Sequence, residues 1–116
     1  MKPKIYGIRN CDTMKKAFAW LDGRKIAYEF HDYKKDGVPT WKLKEWAARV
    51  GWDKLANTRG PTWRKIPEVQ RENPTEARVL ALLAQNPSAI KRPVVEAGST
   101  LLIGFDPEEY AATLRR

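Results

Sequence analysis

The residue best suited to chemistry in this chain is Cys11, the only cysteine among 116 residues. It lies where a short apolar segment gives way to a sequence with helical periodicity. A thiol at a helix N-terminus faces unpaired backbone N–H groups and the positive end of the helix dipole, and both favour the thiolate. Because the thiolate is the nucleophilic form, this position predicts a reactive cysteine. The alternative that the residues leave open is that Cys11 is an unreactive cysteine that packs in the core like a small hydrophobic residue.

A single cysteine also limits the chemistry that the thiol can do. The residue three positions after Cys11 is Met14, so a Cys-x-x-Cys disulfide cannot form. A thiolate of this kind exchanges with an external disulfide or thiol. The sequence therefore predicts a nucleophile that depends on a second molecule to regenerate it.

The formal net charge of +8 and the sequence pI of about 9.8 allow an anionic partner. The lysines and arginines are interleaved with Asp and Glu, and no nucleic-acid recognition motif accompanies them, so we do not expect direct nucleic-acid binding. The sequence shows no signal peptide and no apolar run long enough for a transmembrane helix. Together with the lone cysteine, this predicts a cytoplasmic protein without a membrane partner.

The elements around Cys11 follow from hydrophobic periodicity. Residues 4–8 are typical of a short strand, and the apolar residues of 12–22 recur at the spacing of one helix face, with Gly23 as a stop. Residues 26–33 alternate between apolar and polar, which predicts a second strand. This is a β-α-β unit, and its right-handed crossover predicts that the two strands are parallel.

The middle of the chain is predicted to be helical. Thr40 is a plausible N-cap for a helix that ends at Gly51, and residues 76–85 form a second helix with a broad apolar face. Residues 55–72 are interrupted by glycine and proline, so we predict a loop with short helical turns.

The last third of the chain returns to strands. Residues 93–96 and 100–103, separated by a turn, predict a β-hairpin. Asp106 then has the position of an N-cap, with Pro107 as the first helical residue.

This order of elements and four short motifs resemble the arsenate reductase (ArsC)/Spx family, most closely its YffB-like branch. The likeness extends over essentially the whole chain. The motifs are Tyr6-Gly7-Ile8-Arg9-Asn10-Cys11-Asp12-Thr13, Asn57-Thr58-Arg59-Gly60, Ile90-Lys91-Arg92-Pro93-Val94-Val95 and Leu102-Ile103-Gly104-Phe105.

The resemblance implies an α/β, thioredoxin-like fold: a β-α-β and β-β-α core with a helical insertion at about residues 40–85, in one domain over residues 1–116. It further implies that Pro93 follows a cis peptide bond and faces Cys11. In isolation, Arg59 and Arg92 each have the pattern of a surface cation. The resemblance implies that both converge on the thiol of Cys11. The candidate substrate-binding or anion-binding residues are Arg59, Arg92, Asn10, Thr13 and Pro93.

With Cys11 as the catalytic residue, the main hypothesis is a glutathione-dependent thiol-disulfide reductase of monothiol type. Glutathione would be the co-substrate, and we expect no bound cofactor. The single histidine, His31, lacks the further ligands that a metal site needs, so no metal site is expected.

Two alternatives remain open. The first is an arsenate reductase working with glutathione and glutaredoxin. Such reductases resemble this chain but carry a third arginine where this sequence has residues 103–107, and a histidine shortly before the cysteine where it has Gly7 and Ile8. The second is an Spx-like regulator that binds RNA polymerase without catalysis. Spx proteins often carry a second cysteine at the position of Met14, so a redox-switched version is not expected.

Overall fold

Four short strands form one mixed sheet in the computed structural model. They are β1 (Lys4–Gly7), β2 (Glu29–Asp32), β3 (Val94–Ala97) and β4 (Thr100–Ile103), in the spatial order β2-β1-β3-β4. The β1 and β2 strands are parallel, as predicted, and β3 runs antiparallel to both β1 and β4. The predicted hairpin is therefore confirmed, with Gly98 at its turn in the left-handed region at φ +60°.

The structure describes residues 2–114. Met1, Arg115 and Arg116, which the predicted domain 1–116 includes, lie outside the described residues.

The described residues also form eight α-helices and one 3₁₀ turn over Pro87–Ala89. The helices are α1 (Asp12–Gly23), α2 (Tyr33–Asp36), α3 (Thr40–Val50), α4 (Trp52–Leu55), α5 (Pro61–Lys65), α6 (Glu68–Arg71), α7 (Glu76–Gln85) and α8 (Pro107–Thr113). In β1-α1-β2 and β3-β4-α8 the chain has the two halves of a thioredoxin-like core, and the helices α3 to α7 lie between them in the sequence. The predicted α/β fold class is confirmed.

The chain divides into two compact units, residues up to Asp36 with those from Arg92, and the segment Gly37–Lys91. In the first unit, α1 and α8 pack on the sheet through a core of eight buried residues. They are Ile5, Met14, Ala17, Leu21, Val95, Leu102, Tyr110 and Leu114. The core also receives three partly buried residues from in and before β2, namely Ile26, Tyr28 and Phe30.

The second unit is built from helices. The α3 helix contacts α4 and α7, and Trp46 of α3 is fully buried. Two backbone hydrogen bonds close the unit around an isolated bridge between Ala56 and Ile90: Asn57 N–H donates to the Ala89 carbonyl, and Lys91 N–H donates to the Leu55 carbonyl, both at 2.7 Å. That the whole chain forms one domain stays a prediction.

Two boundary predictions were wrong. The second strand covers only four residues, and Tyr33 begins a helix instead of ending the strand. The N-cap of α3 is Pro39, and Thr40 is the first helical residue, with no side-chain capping hydrogen bond.

Asp106 caps α8 as predicted. Its carboxylate accepts hydrogen bonds from the backbone N–H groups of Glu108 and Glu109, at 3.0 and 3.5 Å. Within residues 2–114, no helix is both long enough and apolar enough to cross a membrane.

Candidate functional site

Cys11 is the N-cap of α1. Its backbone is extended, at φ −144° and ψ 133°, and its carbonyl accepts the hydrogen bond of Lys15 N–H at 2.9 Å, which closes the first helical turn. The side chain is partly exposed, so the sulfur is open to an external reactant. The predicted position of the thiol at a strand-to-helix junction is thus the observed one.

The Arg92 guanidinium lies beside this sulfur. Its Nε donates a hydrogen bond to Cys11 Sγ at 3.2 Å, although the two residues are 81 positions apart. The sheet explains the contact: β3 is antiparallel to β1 with Val94 opposite Tyr6. Arg92, two residues before Val94, therefore lies at the end of the sheet where β1 leads into Cys11.

These surroundings lower the pKa of Cys11 below its ordinary value. Partial burial alone would raise the pKa, but the Arg92 hydrogen bond, the nearby N–H groups of Met14 and Thr13, and the positive charge of Arg92 outweigh it. The two backbone N–H groups act at longer range, because the sulfur accepts no full capping hydrogen bond. The site therefore favours the thiolate more than the surroundings of an ordinary cysteine do.

A second set of contacts fixes the segment that carries Arg92. The Arg92–Pro93 peptide bond is cis, in agreement with what the resemblance implied. The Pro93 carbonyl accepts the N–H of Gly104 at 2.8 Å, and the Gly104 carbonyl accepts the hydroxyl of Tyr110 at 2.7 Å. Gly104, the residue after β4, thus connects Pro93 to Tyr110 of α8.

Gly104 occupies the region where arsenate reductases that this chain resembles carry a third arginine. Its φ of +83° lies in the range that favours glycine. An arginine at this residue would adopt a strained backbone, so the chain is not built to place a cation there.

The other candidate residues fall in different places. Asn10 is exposed in the bend before Cys11, and Thr13 is exposed in the first turn of α1 and contributes its backbone N–H. Arg59 is exposed in a turn of the helical unit, between α4 and α5. Its predicted role at the thiol, like the substrate contacts of Asn10 and Thr13, stays a prediction.

One feature of the site had no signal in the sequence. Gly7, the last residue of β1, is buried, and a Cβ built on it would overlap Met14 Sδ and lie 2.7 Å from Met14 Cε. The same Cβ would lie 3.5 Å from Arg92 Cβ. Only the three-dimensional packing shows that a side chain at this position would meet both Met14 and Arg92.

Metal chemistry has no support among the described residues, which contain no group of three or more His, Cys, Asp or Glu side chains arranged to hold an ion. The His31 ring packs against Tyr6, with ring centroids 5.0 Å apart. A cavity of about 450 Å³ lies within the helical unit, and its lining includes Thr62, Lys65 and Gln70 but none of the candidate site residues.

Comparison with known proteins gives the family. The ArsC family model matches residues 6–113. A protein of Haemophilus influenzae is 42% identical over 108 residues, which cover 93% of this chain and 95% of that protein. The global transcriptional regulator Spx 1 of Lactococcus lactis is 27% identical over 114 residues, covering 97% and 88%.

Solved structures agree. A structure described as a YffB protein is 48% identical, with a TM-score of 0.95 and coverage of 97% of this chain and 99% of that one. A protein of Brucella melitensis described as related to arsenate reductase (ArsC) is 45% identical, with a TM-score of 0.78 and coverage of 100% and 97%. The chain therefore belongs to the ArsC family and is similar over its whole length to YffB-like members.

Proposed function

We propose that this protein is a glutathione-dependent thiol-disulfide reductase of monothiol type, with Cys11 as its nucleophile. The observation that carries the proposal is the hydrogen bond from Arg92 Nε to the sulfur of a helix N-cap cysteine. A guanidinium beside a partly exposed thiol stabilises the thiolate without closing it off from a substrate.

The reaction proceeds in two exchanges. The Cys11 thiolate attacks the glutathione sulfur of a glutathionylated substrate, the substrate's S–S bond breaks, and the leaving substrate thiolate takes a proton from water. The thiolate of a second glutathione then attacks the glutathione sulfur of the Cys11 mixed disulfide. Oxidised glutathione leaves and the Cys11 thiolate is restored. Each turnover therefore oxidises one free glutathione, and the other half of the oxidised glutathione comes from the substrate.

Charge supports glutathione as the co-substrate. The tripeptide carries two carboxylates, and the site places Arg92 at the reacting sulfur. Arginine binds carboxylates bidentately, so a guanidinium here suits an anionic thiol better than a neutral one. A role for Arg59 in binding an anionic substrate stays a prediction.

The test is reduction of a glutathionylated peptide with glutathione, coupled to glutathione reductase. The wild-type protein is expected to catalyse turnover and to show a single glutathione adduct on Cys11 by intact mass. Cys11→Ser is expected to lose both turnover and adduct, because the hydroxyl of serine is not ionised at neutral pH and cannot form the mixed disulfide.

Cysteamine in place of glutathione provides the matched control, since it is a thiol without carboxylates. Turnover is expected to be much slower with cysteamine. Equal rates with both thiols would contradict glutathione recognition, and a folded wild-type protein that forms no adduct up to mildly alkaline pH would contradict the proposal as a whole.

Arsenate reduction is the second candidate. It is favoured by the same guanidinium, which also suits an oxyanion, and by the similarity to the Brucella melitensis protein. The backbone of Gly104 and the absence of a side chain at Gly7 argue against efficient turnover. Arsenate-dependent oxidation of glutathione in the presence of glutaredoxin, abolished by Cys11→Ser, would establish it in place of our proposal.

The third candidate is a regulator without catalysis, favoured by the similarity to Spx 1. Co-purification with RNA polymerase that is unchanged in Cys11→Ser, together with no thiol turnover, would support that role.

A further inference from the structure

We propose that Gly7 is a positioning residue for the thiolate: its missing side chain sets the spacing between the first turn of α1 and Arg92, so that both act on Cys11 Sγ. This inference rests on the proposed thiol chemistry.

The glycine is not explained by its backbone. Gly7 is the final residue of β1, pairs in parallel with Asp32 of β2, and is not among the glycines with positive φ. Any residue can adopt an extended backbone, and glycine is unfavourable inside a strand. The requirement at this position must therefore come from packing.

A side chain at Gly7 would overlap Met14 on one side and would be in ordinary van der Waals contact with Arg92 on the other. A Cβ there would overlap the Met14 thioether, with Met14 Cε at 2.7 Å, and would lie 3.5 Å from Arg92 Cβ. Real Cβ atoms essentially never come within 3.0 Å of another heavy atom. An added methyl group would therefore force Met14 or the backbone to move.

Any movement of the Met14 thioether takes place inside the core. Its side chain is fully buried in the core between the sheet and α1, and protein interiors are close-packed. A displacement of its thioether is transmitted to neighbouring core residues or to α1 itself. Since the N–H of Met14 is one of the donors that lower the pKa of Cys11, a shift of this turn weakens that donor.

Arg92 lies on the other side. An added Cβ at Gly7 would already be in van der Waals contact with Arg92 Cβ, at 3.5 Å, so the methyl group cannot turn away from Met14 without displacing the stem of Arg92. That displacement would also move Nε, which lies 3.2 Å from the sulfur, and would weaken the hydrogen bond. A single position thus controls the distance of both groups from the thiol.

The experiment measures the thiol pKa from the pH dependence of thiolate absorbance and of alkylation rate. In Gly7→Ala we expect the pKa to move back toward the ordinary cysteine value, with alkylation near pH 7 several-fold slower. Adding Met14→Ala is expected to restore the low pKa seen in Met14→Ala alone, because shortening the thioether makes room for the methyl group.

Gly23→Ala is the matched control. A Cβ at Gly23 meets nothing within 4 Å, and its φ is not positive, so the thiol pKa is expected to be unchanged. Circular dichroism establishes that each variant is folded. If Gly7→Ala does not fold, the comparison of Met14→Ala with the double variant still applies, with equal low pKa values expected.

The outcomes separate this inference from the proposed function. A wild-type thiol of ordinary pKa would refute the activated thiolate itself. A low wild-type pKa that is unchanged in folded Gly7→Ala, or a double variant whose pKa stays above that of Met14→Ala, would overturn the role of Gly7 and leave the proposed function standing.

Discussion

The contact between Arg92 and Cys11 joins a permanent cation to a sulfur that ionises. Hydrogen bonds to a charged partner are roughly twice as strong as neutral ones, so this contact belongs mainly to the thiolate. It stabilises the charged form while leaving the thiol form comparatively unsupported. The direction of the pKa shift follows from this asymmetry.

Arg92→Ala is expected to raise the pKa of Cys11. Its alkylation at pH 6 should slow by about tenfold for each unit by which the pKa rises. In the wild-type protein the alkylation rate is expected to rise with pH through an inflection below the ordinary value of about 8.5. Below that inflection the rate falls, since the thiolate becomes protonated. The measurement is the rate of iodoacetamide modification across pH 4–10, a range of about six units that brackets the shift.

The control is Arg24→Ala, which removes the same charge at the far end of α1. Arg24 packs over Trp20 at 4.2 Å, and with a rise of about 1.5 Å per residue it lies roughly 20 Å from Cys11. The pKa of Cys11 in Arg24→Ala should match that of the wild type. Identical pH profiles for Arg92→Ala and Arg24→Ala would remove Arg92 from the account of activation. Arg59→Ala in the same series tests whether the predicted second arginine also acts on the thiol.

Secondary-structure elements on the β4 side hold the Arg92 segment in place. The Tyr110 hydroxyl donates to the Gly104 carbonyl, and Gly104 N–H donates to the Pro93 carbonyl, so α8 is connected through the residue after β4 to the residue that precedes β3. Burial raises the pKa of Tyr110 well above its ordinary value, and the negative charge of Glu109 adds to the increase. The hydroxyl therefore keeps its proton and remains a hydrogen-bond donor.

Tyr110→Phe is expected to lower the free energy of unfolding by about 1 kcal/mol, the typical net value of a hydrogen bond, with a further penalty for the unpaired carbonyl. Gly104→Ala is expected to cost about 1 kcal/mol or more through backbone strain alone, because a Cβ there meets nothing within 4 Å. Urea denaturation provides both values. A Gly104→Ala protein as stable as the wild type would contradict the strain argument.

The sequence predicted the type and order of most elements because hydrophobic periodicity is a local property. The bounds of β2 were not predicted, because they depend on specific contacts. The strand begins where Glu29 pairs with Lys4 of β1. It ends at Asp32, whose Oδ1 accepts a hydrogen bond from Lys34 N–H at 2.9 Å at the start of α2. The role of Cys11 could be predicted because it lies at the start of a periodic helical segment. The close packing of Gly7 and Met14 could not, because it joins a strand to a helix and leaves no periodic pattern in the sequence.

For the first unit as a whole, buried tyrosines set a limit at high pH. Burial raises the pKa of Tyr33 well above its ordinary value, with Tyr6 adding to the increase and Arg92 opposing it. Tyr33 thus stays neutral in the folded protein and ionises at about pH 10 once unfolded. Its contribution to stability is complete below that pH and is lost as pH rises, because the unfolded state then binds fewer protons.

Tyr33→Phe is accordingly expected to make the free energy of unfolding fall less steeply above about pH 10 than it does in the wild type. The measurement is urea denaturation at a series of pH values from neutral to alkaline. The slope is the readout, since substitution also changes the stability at neutral pH. Parallel slopes in the two proteins would show that Tyr33 ionises alike in both states.

The separation of 81 residues between Cys11 and Arg92 has a consequence for the nascent chain. A polypeptide emerging from the ribosome contains Cys11 long before Arg92 and β3 exist, and contacts between distant residues form late in folding. Until β3 pairs with β1, the cysteine lacks its hydrogen bond from Arg92, so its thiol is less readily ionised than in the folded protein. Maturation of the reactive sulfur is thereby coupled to completion of the sheet, so incomplete or misfolded copies are poor targets for premature oxidation.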